Sequence, residues 1–136
     1  MAVFLGDSKN TSAVRSALKI NYAVQNIINL LMKKQYPNTT YQLKHVVGID
    51  TSELFVARIG VRNDNDLVWV GRAANYAAKL CSYNGKHSTY ITKAVFESMD
   101  KSVKFGEENN SSMWVEQTWT ARNNMRIYGS SWWWEI

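Results

Sequence analysis

Val47-Gly48-Ile49-Asp50-Thr51-Ser52, Ala57-Arg58-Ile59-Gly60 and Val70-Gly71-Arg72-Ala73-Ala74-Asn75-Tyr76-Ala77-Ala78-Lys79-Leu80 are the stretches on which the reading of this chain turns. The first two fall on two β-rich runs, residues 41–49 and 54–61, and on the Asp50-Thr51-Ser52-Glu53 between them, which predicts a hairpin turn. Residues 62–66 read as a polar loop. Leu67-Val68-Trp69-Val70 is a short apolar strand stopped by Gly71. The alanine-rich residues 73–80 that follow predict a helix.

Upstream, residues 1–5 form a short apolar run closed by Gly6-Asp7, which reads as a strand, buried by its composition. Asn10-Thr11-Ser12 suits a helix start, because short polar side chains accept bonds from free backbone N–H groups. Val14, Ala17, Leu18, Tyr22, Val24, Ile28 and Leu31 recur at helical spacing, Lys33 and Lys34 suit a helix C-terminus, and Pro37-Asn38 end it. The expected helix covers residues 12–34. Downstream come a loop over 82–88, a strand at 90–92, a helix at 93–99 and a polar segment at 104–112 expected to be mobile. Residues 113–120 and 125–134 read as a final hairpin around Ala121-Arg122-Asn123-Asn124. The order is strand, long helix, hairpin, strand, helix, strand, helix, hairpin. Helices returning to a mostly antiparallel sheet define an α+β class in one domain.

Composition narrows the function. With 136 residues the chain holds one core, and 46% apolar with 20% charged residues is ordinary for a globular protein. No apolar run approaches the ~20 residues that span a bilayer, and the opening lacks the pattern of a signal peptide. A single cysteine, Cys81, excludes an internal disulfide framework and fits a cytoplasmic location. It is expected to be a small buried residue after the helix. The formal charge of +5 suggests an anionic partner, which a nucleic acid or a nucleoside triphosphate satisfies equally.

The stretches quoted at the outset resemble the central block of class III adenylate and guanylate cyclases, with its Gly-Ile hairpin, its Val-Gly strand end and its helix carrying an asparagine four residues after a glycine. Gly71 and Asn75 stand at that spacing. The opening Met1-Ala2-Val3-Phe4 is similar to the strand that precedes the block, so the likeness covers nearly the whole chain. Within the family, Asn65-Asp66-Leu67-Val68-Trp69-Val70-Gly71, the Gly6-Asp7-Ser8-Lys9-Asn10-Thr11 turn and the tryptophan-rich end are most similar to the Pycsar pyrimidine cyclases of anti-phage defence.

The resemblance implies a ferredoxin-like cyclase domain and a reaction in which a ribose 3′-hydroxyl attacks the α-phosphate, giving a 3′,5′-cyclic nucleotide, cUMP or cCMP, and pyrophosphate. It assigns Asn75 to orienting the ribose and Lys79, one turn later on the same face, to the phosphate. Lysine stands where the family usually has arginine, which keeps the charge and loses the planar fork. Val68, seven residues before Asn75, occupies a base-reading position and cannot hydrogen-bond an adenine edge. Arg58, Arg62, Arg72, Arg122 and Arg126 are candidate triphosphate contacts, with Arg122 or Arg126 fitting the family's late-strand cation.

The family also implies Mg2+ or Mn2+ bound by two aspartates, both expected upstream of residue 1, so this chain offers no nameable metal site and is expected to be an N-terminally truncated domain, inactive alone. Active sites shared between subunits imply a homodimer, which would also cover a sheet edge left exposed. A non-catalytic cyclase-like module for dimerisation or nucleotide sensing is the alternative. RNA binding ranks last, because Phe55 is a poor match to the aromatic signature it needs. Trp132-Trp133-Trp134 are expected in the core or at an interface, and His45 and His87 as structural or exposed residues.

Overall fold

Residues 1–61, 64–106 and 110–136 are described by the computed structural model. The long amphipathic stretch forms α1 (Lys9–Tyr22), runs on as a π-helical segment (Ala23–Ile28) and ends as α2 (Asn29–Gln35). Ala13, Val14, Ala17 and Leu18 share the buried face, as 3.6-residue periodicity requires. Beyond Val24 the pattern stops being buried: Ile28 and Leu31 are exposed. The helix is locally re-wound where another segment crosses it. The Asn21 side chain, fully buried, donates from Nδ2 to the carbonyls of Ser131 and Trp132 at 2.9 Å each. The Trp134 N–H reaches the Leu18 carbonyl at 3.2 Å. Insertion of an outside donor into the i→i−4 ladder is a recognised cause of such irregularity.

Four strands make the main sheet, in the order β1 (Val47–Ile49), β4 (Thr89–Thr92), β6 (Met125–Ser130), β5 (Val115–Trp119). β1 runs parallel to β4, and the other pairs are antiparallel. Alternation sends Ile91 and Tyr128 to one face, onto α1 and α4 (Lys93–Ser98). Tyr90, Ile127 and Trp119 go to the other, with Leu80 of α3 (Arg72–Cys81). Helix α3 lies close against β1: a Cβ added to Gly48 would stand 2.7 Å from Leu80 Cβ and overlap the Ala77 carbonyl oxygen. The remaining strands, β2 (Phe55–Val61) and β3 (Asp64–Val70), pair only with each other as an antiparallel ribbon.

The α+β class and the helices at residues 72–81 and 93–98 agree with the sequence reading, but several expectations need correcting. Residues 1–5 are not a strand; Met1 and Leu5 are exposed, and only Phe4 packs on the core. The run 41–49 gives a strand of three residues, because the Leu43 backbone bonds instead to the Asn29 side chain. It does not pair with 54–61. Asp50 is drawn to Thr92 and Arg72, and the chain leaves the sheet there. The loop expected at 62–66 contains the start of β3, while Arg62 and Asn63 lie outside the described residues. In the polar segment 104–112, Phe105 bridges Ser112, and residues 107–109 are outside the described residues. Strand β6 ends at Ser130, so the three tryptophans are not in a strand. Trp134 packs on the core, and Trp132 and Trp133 remain largely exposed. Cys81 is exposed, not buried; its Sγ accepts from the Gly48 N–H at 3.2 Å.

Candidate active site

Helix α3 organises the candidate residues. At 100° per residue, Ala73 and Ala77 lie towards one side, and Arg72, Asn75 and Lys79 fall within one arc opposite to it. The alanines line a cavity of about 600 Å³, bounded also by residues 1–5, by Ala13 and Ala17 of α1 and by Ile49. Asn75 is exposed and Lys79 half-exposed, and neither lines that cavity. Among the described residues Lys79 makes no ion pair and the Asn75 amide no hydrogen bond within the chain. Both are therefore available to an outside group.

Next to them runs a row of alternating cations and rings. The Arg72 guanidinium lies 5.4 Å from the Tyr76 ring centre, Tyr76 meets Trp119 edge-on at 5.8 Å, and Arg122 lies 5.9 Å from Trp119. These contacts bring Arg122, on the turn between β5 and β6, to the flank of α3. The turn is set by Asn123 and Asn124, both with positive φ (52° and 55°), a conformation asparagine tolerates. Arg126 is not part of this group. It alternates with the inward-facing Met125 and Ile127, so it points to the opposite face of the sheet, where it pairs with Glu116 at 3.3 Å. Arg58 is exposed on the β2–β3 ribbon, and Arg62 is outside the described residues. Val68 sits on the same ribbon opposite Ala57, sharing a face with Phe55, Ile59 and Val70.

A group missed by the sequence reading stands at the root of the ribbon. Asp50, whose side chain has no exposed surface, accepts from Thr92 Oγ1 at 2.5 Å and lies 3.3 Å from the Arg72 guanidinium. Arg72 also donates to the Thr51 carbonyl at 2.7 Å, and Ser52 Oγ accepts from the Ala73 N–H at 3.0 Å. Residues 50 and 92 are far apart in sequence, and only the parallel β1–β4 pairing puts them together.

His45 and His87 hold no catalytic arrangement. Burial holds the His45 imidazole below its ordinary pKa, and His87 Nδ1 meets Ser131 Oγ at 3.1 Å. The residues present do not fit a divalent metal centre: among the described residues no three His, Cys, Asp or Glu side chains cluster, and Asp50 is already engaged. No helix of the described chain is long and apolar enough to cross a membrane.

This exposed polar face can be set beside known proteins. A uridylate cyclase of Xanthomonas perforans is 50% identical over 136 residues, covering 100% of this chain and 58% of that protein. This chain has homologues named uridylate cyclase. A second, from Burkholderia cepacia, is 51% identical over 138 residues, covering 100% of this chain and 57% of its own. A third, from Rhodovulum sp. (strain MB263), is 35% identical over 138 residues, 98% of this chain and 58% of that protein. The chain thus spans a little over half the length of these curated relatives. No family profile matches it.

Proposed function

We propose that the full-length protein is a pyrimidine nucleotidyl cyclase that converts UTP to 3′,5′-cyclic UMP and pyrophosphate, a phosphorus–oxygen lyase of the class III type. The observation that carries this reading is the likeness along the whole chain to proteins named uridylate cyclase, at up to 51% identity. It is supported by exposed Asn75 and half-exposed Lys79 on one face of α3, whose side chains have no polar partner among the described residues.

In the proposed reaction the ribose O3′ forms a bond to the α-phosphorus as the bond to the bridging oxygen of pyrophosphate breaks, and the O3′ proton leaves. The Asn75 amide, able to donate and accept at once, orients the ribose. The Lys79 ammonium lies against the phosphoryl oxygens on which charge gathers. Arg122 supplies a second cation for the triphosphate, and Val68 offers an apolar wall to the base. Mg2+ or Mn2+ would supply Lewis acidity at the phosphates, and on this reading its ligands would not be the residues described here. For that reason residues 1–136 alone are proposed to be inactive.

The active form is proposed to be a cytoplasmic homodimer in which α3 of one subunit meets the metal-bearing part of its partner. The product is proposed to be a signal in anti-phage defence. The test is incubation of the full-length protein with UTP, CTP, ATP and GTP and Mn2+, with products identified by mass spectrometry. Cyclic UMP as the main product is expected. A purine cyclic nucleotide, or none, overturns the reading.

A further inference from the structure

We propose that Asp50 and Arg72 form a positioning clasp that sets the direction of α3, and with it Asn75 and Lys79, relative to the sheet. The β2–β3 ribbon leaves the body after β1 and returns just before α3, so its two roots, residues 50–54 and 71–73, are the points at which α3 is aimed. Between those roots run one ion pair and two hydrogen bonds. Arg72 lies 3.3 Å from the buried Asp50 carboxylate and donates to the Thr51 carbonyl at 2.7 Å, and the Ala73 N–H reaches Ser52 Oγ at 3.0 Å. Asp50 in turn is fixed to the body by Thr92 Oγ1 at 2.5 Å, at the junction of β4 and α4.

The roots are also packed closely: a Cβ on Gly71 would stand 2.7 Å from Leu54 Cδ2. Asp50 Oδ2 is buried and makes no hydrogen bond among the described residues, so the charge of Arg72 is what compensates it. Removing the guanidinium would leave an uncompensated buried charge, which is more disruptive than removing both partners together. Arg72 thereby spends one fork nitrogen on the Thr51 carbonyl and sets the other beside the Asp50 charge, while its side chain keeps an exposed side. This makes Arg72 a positioning residue, acting through the helix it begins, in place of the triphosphate contact for which it is one of five candidate arginines.

The clasp itself does not depend on the cyclase reading; only the rate measurements below do. In the full-length protein, Arg72→Met, Asp50→Asn and the double variant are compared by steady-state kinetics with UTP, by unfolding temperature and by amide hydrogen exchange. Arg72→Met is expected to lower kcat about 10²-fold, the scale of a small misplacement of reacting groups, with KM within about 3-fold. Exchange protection should fall in residues 72–81 and stay unchanged in β5 and β6. The double variant should regain the unfolding temperature lost by Arg72→Met without regaining kcat.

Arg72→Lys keeps the charge without the fork, and it should show the same pattern more weakly if the methionine variant does not fold. A tenfold rise in KM at unchanged kcat would make Arg72 a direct phosphate ligand and overturn the proposal, as would unaltered exchange in α3. If wild-type protein forms no cyclic nucleotide, the cyclase reading fails, and α3 exchange alone decides the clasp: lost protection upholds it and unchanged protection overturns it.

Discussion

Among the described residues the side chains of Asn75 and Lys79 make no hydrogen bond or ion pair. Asn75→Ala in the full-length protein should therefore abolish cyclisation, by at least about 10²-fold, with an unchanged circular dichroism spectrum and unfolding temperature. Lys79→Met should lower kcat comparably, whereas Lys79→Arg, which keeps the charge, should retain most of it; product formation by chromatography separates the two. His45 titrates against the fold. Its imidazole is held below the ordinary value by burial, and its buried Nε2 has no partner among the described residues. Folding thus favours the neutral ring. The stability this provides is complete above the unfolded pKa of about 6.5 and is lost as pH falls from there towards the lower folded value. Unfolding temperature should drop over that window, and His45→Gln should flatten the drop. That Asn75 and Lys79 share a face was legible in the sequence because a four-residue spacing on a helix needs no tertiary information, whereas their proposed roles came from the family resemblance. Asp50 with Thr92 was not, because their meeting depends on which strands pair.

At the level of elements, the helices were readable because 3.6-residue periodicity is local. Residues 72–81 differ from the expected 73–80 by one residue at each end. Strand partners were not readable. The turn residues at 50–53 mark a reversal, but nothing in them says that β1 joins β4 in parallel while β2 joins β3. The short strand β1 holds its place largely through α3, which crosses it at Gly48. Gly48→Ala should cost about 1–3 kcal/mol by overpacking against backbone that cannot yield, measured by urea unfolding. The same change at Gly6, whose Cβ would meet nothing within 4 Å, is expected to act only through its positive φ of 88° and to leave the α3 packing unaltered.

Across the whole molecule, the β2–β3 ribbon is the least supported part. Phe55, Ile59, Val68 and Val70 share one face of it and all are exposed. A two-stranded ribbon is marginal by itself in water, and an apolar face of this kind fits the proposed second subunit. Ile59→Lys should shift sedimentation of the full-length protein from dimer towards monomer and lower cyclase activity in step with it. That face was foreshadowed only faintly, since its apolar residues read equally well as core.

The crossing of α1 by residues 131–134 has a separate consequence for how the protein is made. Asn21 finds its partners 110 and 111 positions later in the sequence. During synthesis, α1 leaves the ribosome long before the carbonyls that satisfy its buried amide. The Asn21 amide therefore finds these two partners only after the tryptophan-rich segment emerges. Closure of this crossing is thus a contact of long sequence separation, the kind whose loop-closure entropy must be met before the contact contributes.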